Sequence, residues 1–331
     1  MQEQEIYTLI NKYYTTANIR NIKLLQNRII IEISGITEDN KITSQLKEEL
    51  NALFPQYKIS IIYVEDKISN LGMQEMDKWK IPQVKKIIGI ASGKGGVGKS
   101  TTAVNLALAL AKSGKNVAIV DADIYGPSIP TMLGYENMPM LSADGKHFTP
   151  FNNYGVQSVS VGSLINRDTP LIWRGAKACG AIEQLMTQTD WQNVDIMVVD
   201  MPPGTGDILI TLAQHVDFAG IIIVSTPQDV ALIDAVKGVN MFKKTGTPIL
   251  GIIENMSYFV CPHCGKHIDI FGHEGARTAA QKLQEKFLGS IPLHTNIRAG
   301  ADKGTPVVAT QQDSLYTKIF IDIAAQIIQQ L

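Results

Sequence analysis

The chain has 331 residues, 45% of them apolar, with 30 Lys and Arg against 31 Asp and Glu. It is therefore long enough for two domains and a large core, while its charge balance excludes a surface built to capture nucleic acid or an anionic membrane by charge alone. Three cysteines, Cys179, Cys261 and Cys264, exclude a disulfide framework, no apolar run reaches the ~18 residues of a membrane span, and the polar start Met1-Gln2-Glu3-Gln4-Glu5 does not read as a secretory leader. The expected location is the cytoplasm.

Residues 1–65 predict a small α/β unit. Apolar residues at helical spacing run from Glu5 to Tyr14, strands are expected at Ile22 to Leu25 and Arg28 to Ile33 around Gln26-Asn27, a helix at Ile42 to Phe54, and a strand at Ile59 to Val64. No catalytic cluster stands out in this unit. Residues 66–84 are polar, contain Gly72 and Pro82, and read as a linker.

From residue 85 to residue 331 the pattern is strand, loop, helix, repeated. That predicts an α/β fold with a mostly parallel sheet covered by helices on both faces. The run Ile87-Ile88-Gly89-Ile90-Ala91 reads as a strand and Thr102 to Lys112 as a helix, and between them Gly93 to Ser100 fits G-x-x-x-x-G-K-S/T. Gly93, Gly95, Gly96 and Gly98, with Val97 among them, let successive amides curl around phosphates, and the helix opening at Lys99-Ser100-Thr101 offers free N–H groups and its positive dipole end. Lys99 is expected on the β- and γ-phosphates of ATP and Ser100 on Mg2+. Lys94 is surplus to a phosphate cradle. Its place resembles that of the early lysine in deviant Walker A ATPases, which reaches across a dimer interface; the alternative is a solvated surface lysine.

The strand Asn116 to Val120 ends in Asp121-Ala122-Asp123, at the carboxyl edge where open α/β sheets bind ligands. Asp123 is expected to position the attacking water and Asp121 to support Mg2+, unless either caps the following turn. Pro170 to Gly175, with Trp173 and Arg174, precedes a helix through Met186, on which Cys179 reads as a buried apolar residue. Val194 to Val199 is a fully buried strand by composition and ends in Asp200, the Walker B position for Mg2+. Pro202-Pro203-Gly204 makes a stiff turn, Gly204 and Gly206 suit a backbone near the γ-phosphate, and Asp207 either caps the helix Ile208 to His215 or acts at the site. A strand at Gly220 to Val224, a helix at Asp229 to Phe242 and a strand at Pro248 to Ile253 follow, the last ending in Glu254-Asn255-Met256. The amphipathic segment Leu315 to Leu331 carries one lysine and one aspartate and reads as a core-docking helix.

Cys261-Pro262-His263-Cys264-Gly265 has the form of a metal knuckle, with Gly265 relieving the turn. A thioredoxin-type pair would open a helix, against which Gly265 speaks. Zinc or an iron–sulfur cluster usually takes four ligands. Either His263, His267 or His273 completes a local zinc site, or a second copy of the chain adds its own pair.

Taken together, Gly93 to Thr101, Asp121 to Ser128, Trp173-Arg174-Gly175, Asp200 to Asp207 and Asn255-Met256-Ser257 before the cysteine pair resemble the Mrp/ApbC family of iron–sulfur cluster carrier ATPases. The layout of the first unit is similar to the small domain that precedes the ATPase in many of its bacterial members. Ala176 departs from the proline usual after Trp-Arg-Gly. The resemblance implies a homodimer that bridges a 4Fe-4S cluster through Cys261 and Cys264, hydrolyses ATP slowly with Lys94, Lys99 and Asp123, and passes the cluster from an assembly scaffold to apoproteins, with no nucleic-acid or membrane partner. It also implies Asn255 on the adenine edge, with the Ile291-Pro292 turn beside the base. Two other readings remain open: a P-loop switch with a structural zinc, and a ParA/MinD-like positioning ATPase, which would call for a basic surface or tail.

Overall fold

The computed structural model describes residues 2–14, 18–25, 28–34, 40–63, 77–142, 144–164 and 175–331. Trp173, Arg174 and most of the expected linker lie outside them. The chain forms two compact units, Met1–Met76 and Asp77–Leu331.

In the smaller unit α1 (Gln2–Tyr13), β1 (Asn18–Leu25), β2 (Arg28–Ser34), α2 (Asn40–Leu53) and β3 (Lys58–Tyr63) follow the expected order. β1 pairs antiparallel and β3 parallel with β2. The alternation Ile29, Ile31, Ile33 on β2 turns one face inward, where Ile6 and Ile10 of α1 and Leu46 and Leu50 of α2 cover it.

The larger unit contains β4 (Val84–Ala91), α3 (Lys99–Lys112), β5 (Val117–Asp121), α4 (Ile129–Leu133), β6 (Phe151–Asn153), β7 (Val156–Ser160), α5 (Gly175–Thr187), β8 (Val194–Asp200), α6 (Asp207–His215), β9 (Phe218–Ser225), α7 (Asp229–Lys244) and β10 (Ile249–Asn255). After these come β11 (Phe259–Val260), β12 (His267–Ile268), α8 (Gly275–Leu283), β13 (Phe287–Ile291), α9 (Thr295–Asp302), α10 (Val307–Thr310) and α11 (Leu315–Ile328). Eight strands form one sheet in the order β13-β10-β9-β4-β8-β5-β7-β6, parallel throughout except for the edge strand β6.

Both faces of the sheet are covered, which is why Ile196 to Val199 of β8 and Phe218 to Val224 of β9 are apolar without interruption. Ile88, Ile90, Ile222 and Val224 meet α3, α10 and α11 on one face. Ile87, Ala91, Ile221 and Ile223 meet α5, α6, α7 and α8 on the other. α3 is buried almost all round, from Thr102 to Leu110. α11 packs Phe320, Ile323, Ala324 and Ile327 into the same core, as a core-docking helix should. No helix among the described residues is long and apolar enough to cross a membrane.

Residues 77–83, read from their polarity as linker, belong to the larger unit. The Trp79 backbone N–H donates to the His215 carbonyl (2.8 Å) and its ring stacks on the His215 ring, while the Lys78 ammonium reaches the Val216 carbonyl (3.2 Å). Two apolar side chains, Trp79 and Ile81, supply the packing surface that the average composition hid.

Candidate functional site

β4 lies at the centre of the sheet, with β8 and β9 on either side, and the chain leaves it at the strand's carboxyl end. Strand order reverses there, which opens the crevice in which α/β sheets bind ligands. The loop Ser92 to Gly98 fills that position and leads directly into α3, whose N-cap is Gly98 with φ +80°. Gly96 (φ +81°) and Gly98 hold the left-handed conformation that only glycine adopts without strain. A Cβ built on Gly95 or Gly96 would meet nothing within 4 Å, so the cradle is lined by bare backbone. Ser92 secures it from below: its hydroxyl donates to the Lys94 carbonyl (2.9 Å) and its own carbonyl accepts from the Gly204 N–H (2.9 Å). The Val97 side chain is buried, Ser100 and Thr101 are half-buried, and the Thr102 hydroxyl donates to the Gly98 carbonyl (2.9 Å).

Three acids converge beneath the loop. Asp121 and Asp200 end adjacent strands in register, so their side chains meet below the cradle. The Lys99 ammonium donates to Asp200 Oδ1 at 2.7 Å and stands 3.4 Å from Asp123 Oδ2 and 3.4 Å from the Ser100 hydroxyl. Burial alone would pull the ammonium's pKa down, but Asp200, Asp123 and Asp121 together hold it above the ordinary lysine value. Burial pushes Asp200 above the usual carboxylate range against the pull of Lys99, and its Oδ2 is buried with no hydrogen-bond partner. Such an orphaned oxygen beside a serine hydroxyl is a hard donor set that fits Mg2+.

Asp121, expected beside Mg2+, is committed elsewhere. Oδ1 accepts from the Asp123 N–H (3.2 Å), and Oδ2 accepts from the N–H groups of Ser128 (3.0 Å) and Ile129 (3.1 Å) and from the Ser160 hydroxyl (2.9 Å). It holds the loop that carries Asp123 and so takes the turn-capping role considered for it from sequence. Burial, then the neighbouring Asp200, pushes its pKa up to about 7 against the hydrogen bonds and Lys99. A carboxyl titrating near 7 should therefore be visible by carbon NMR in the nucleotide-free protein and absent from Asp121→Asn. Because the folded value lies above the unfolded one, the folded state favours the protonated form. Asp121's contribution to stability is full below about pH 4 and is lost as pH rises through about 7.

Lys94 is half-buried and donates to Gln228 Oε1 (3.3 Å) on the N-cap of α7, within its own chain. Asp207, expected either as a cap or at the site, is exposed in the first turn of α6; the N-cap is Gly206 and receives no side-chain bond. Cys179 is half-buried on α5, where burial pushes its thiol up.

Asn255 ends β10 and donates Nδ2 to the Val97 carbonyl (2.8 Å), bracing the phosphate loop. Pro292 is buried just after β13, whose Ile291 pairs with Asn255 in register. Directly beyond, Phe259–Val260 and His267–Ile268 form a two-stranded hairpin with the cysteines at its turn. The Cys261 N–H donates to the Lys266 carbonyl (3.0 Å) and the Gly265 N–H to the Cys261 carbonyl (2.9 Å). The backbone N–H groups of His263 and Cys264, with the Cys264 thiol, hold the Cys261 thiol below its ordinary pKa, and Cys264 is exposed. His267 stacks on Tyr258 with ring centres 4.2 Å apart, and His273 Nδ1 lies 3.0 Å from Asp269 Oδ2. Among the described residues no group of three or more His, Cys, Asp or Glu side chains is placed to hold a metal ion. Of the two completions open from sequence, the local histidine one therefore finds no ligand set here.

Residues 83–328 match the family described as NUBPL iron-transfer P-loop NTPases within the ParA group. The chain belongs to that family. The iron-sulfur cluster transfer protein NUBPL of Dictyostelium discoideum is 49% identical over 258 residues, which cover 78% of this chain and 80% of that protein. The iron-sulfur cluster carrier protein of Escherichia coli K12 is 52% identical over 248 residues, 75% of this chain and 67% of the relative. A nucleotide-binding protein of Archaeoglobus fulgidus in complex with ADP superposes with a TM-score of 0.62 at 34% identity, covering 72% of this chain and 93% of the other. The cell division ATPase MinD of Pyrococcus furiosus follows at 0.57 and 25% identity, covering 74% of this chain and 99% of MinD. As a NUBPL-family P-loop NTPase, the chain is an ATPase built on the MinD-like parallel sheet, and the Mrp/ApbC resemblance is confirmed.

Three features of this NUBPL-family site carried no role in the sequence reading. Gln228 receives Lys94, Ser160 anchors Asp121, and Glu254, wholly buried, is bonded to Ser257 and Ala276 on either side of the cysteine segment. Only Glu254 gave a signal, as a charged residue inside an apolar strand, since carboxyl groups are rarely fully buried without partners.

Proposed function

We propose that the protein is an ATP-driven iron–sulfur cluster carrier, in which two copies bind one 4Fe-4S cluster through Cys261 and Cys264 of each and deliver it to apoproteins. The carrying observation is the hairpin itself: it presents two thiols, one with a depressed pKa and one exposed, and the chain adds no third ligand among the described residues. Half a ligand set at the surface fits a cargo held between two copies and released by opening. The naming of the Dictyostelium and Escherichia coli relatives points to the same cargo.

In this reading Gly93 to Thr101 bind ATP, with Lys99 on the β- and γ-phosphates, Asn255 on the adenine edge and Pro292 beside the base. Ser100 and Asp200 would hold Mg2+, which supplies charge neutralisation of the phosphates when bound. Asp123, fixed by Asp121, positions the attacking water. Lys94, whose one side-chain bond among the described residues is to the neutral amide of Gln228, is free to leave for the nucleotide of a second copy. The cluster partners are an assembly scaffold and apo iron–sulfur proteins, and the setting is the cytoplasm. ATP acts on the cargo only by binding the closed and open dimers with different affinity.

Anaerobic reconstitution with iron and sulfide tests the proposal. The native chain should take up about four irons and four sulfides per dimer with a cluster absorption band, and Cys261→Ala/Cys264→Ala should take up none. Tight zinc without inorganic sulfide would make the cysteine pair structural and end the carrier reading.

A further inference from the structure

The last residues of β10 divide their work between two faces. Successive strand side chains point to opposite sides of a sheet, and here Asn255 turns to the phosphate loop while Glu254 turns to the start of α8 and to Ser257. Glu254 is wholly buried. Its Oε2 accepts from the Ala276 N–H at 2.7 Å, and its Oε1 accepts from the Ser257 hydroxyl. Ser257 and Ala276 flank residues 258–275, the segment that contains the whole hairpin and both cysteines. One carboxyl group thus joins the two feet of that segment. The entering foot is pinned a second time, because the Ser257 N–H donates to the Ile291 carbonyl (2.9 Å) and the Leu293 N–H to the Tyr258 carbonyl (2.8 Å).

One peptide away, Asn255 Nδ2 holds the carbonyl of Val97, between the left-handed Gly96 and Gly98 of the cradle. We propose that Glu254 is a positioning residue: it clamps both feet of the cysteine hairpin and, through Asn255, ties the hairpin to the phosphate loop, so that nucleotide changes how the two thiols are presented. Buried polar groups are costly to leave unpaired. A shift of the Val97 carbonyl on nucleotide binding therefore either moves Asn255 with it or breaks a buried bond, and the adjacent clamp passes the movement to Ser257, four residues before Cys261. The inference deepens the carrier reading by naming how the two centres communicate, and it takes from that reading only that the two thiols are the cargo ligands.

The test uses the full-length, metal-free, reduced protein with Cys179→Ala, so that iodoacetamide reports on Cys261 and Cys264 alone. Alkylation rates are measured with and without Mg2+ and a non-hydrolysable ATP analogue. In the otherwise native chain the analogue should change the rate about fivefold or more, the lower range of coupling between linked sites. In Glu254→Gln, where an amide N–H2 replaces one acceptor, the response should fall below about twofold while analogue affinity changes little. Ser257→Ala, which frees one foot and disturbs the core least, should give an intermediate response, and Ser257→Thr should restore it. Thiols that ignore the analogue in the native chain, or a Glu254→Gln or Ser257→Ala response equal to the native one, would overturn the clamp. Nucleotide-sensitive thiols in a protein that takes up no cluster would support the clamp while removing the carrier reading.

Discussion

Lys99→Ala is expected to lower ATP turnover by about 100-fold or more, since a preorganised cation on the transferring phosphoryl group is worth that much in comparable sites. It should also destabilise the nucleotide-free fold. Lys99 is the cation between Asp200 at 2.7 Å and Asp123 at 3.4 Å, and Asp121 lies in register with Asp200 on the next strand. Removing one partner of a buried ion pair costs about 3–5 kcal/mol when the remaining charge stays buried. Here Asp121 and Asp200 escape part of that cost by taking up protons, and this fixes the direction of the pH dependence. The folded-state pKa values of Asp121 and Asp200 are already raised by burial, and loss of Lys99, which opposes that rise, raises them further. A group with a raised folded value contributes stability at low pH and loses it as pH rises through that value. The deficit of Lys99→Ala against the native chain, from urea unfolding, should therefore be large at pH 8 and shrink toward pH 5. Equal deficits at the two pH values would mean that Asp121 and Asp200 do not share the lysine's field.

Gly93→Ala is the second large effect, and its cause is steric. An added Cβ would lie 2.2 Å from the Asp234 carbonyl carbon, 2.4 Å from its oxygen and 2.6 Å from the Ala235 nitrogen. All three belong to the backbone of α7 and cannot rotate away. Overpacking of a rigid interior costs about 1–3 kcal/mol and occasionally more, and contact with main chain places this substitution at or beyond the upper end. Thermal unfolding should show that loss without ligand, and ADP affinity should fall with it because the start of the cradle is displaced. Gly95→Ala is the control: its methyl meets nothing within 4 Å, so the fold should tolerate it while nucleotide binding suffers from the group standing in the cradle. A Gly93→Ala protein as stable as Gly95→Ala would refute the close packing of the loop on α7.

The phosphate loop, the acid that closes β8 and the cysteine pair were legible in the chain because each is local. A glycine-rich turn between a strand and a helix, or two cysteines around a tight turn, states its chemistry within about ten residues. The alternation of strands and helices was legible for the same reason: apolar periodicity is a short-range pattern, and β8, β9 and α3 met both core faces where their composition placed them. Trp79 shows the limit. Its neighbours are polar, and only the His215 carbonyl and ring, far along the chain, reveal that it docks.

The amino-acid sequence by itself determined the family and the parallel sheet and marked the phosphate loop and the cysteine pair, since these rest on residue type at fixed short spacing. The tertiary structure alone decided what each polar side chain does. Asp121, which caps its own loop, is anchored by the hydroxyl of Ser160, 39 residues away, and Asn255 reaches a carbonyl 158 residues earlier in the chain. Such partners are set by strand order and register, which bring β10 beside β9 and β9 beside β4. No spacing along the chain encodes that adjacency, because it is fixed only when the whole sheet has assembled and each buried polar group has found its donor.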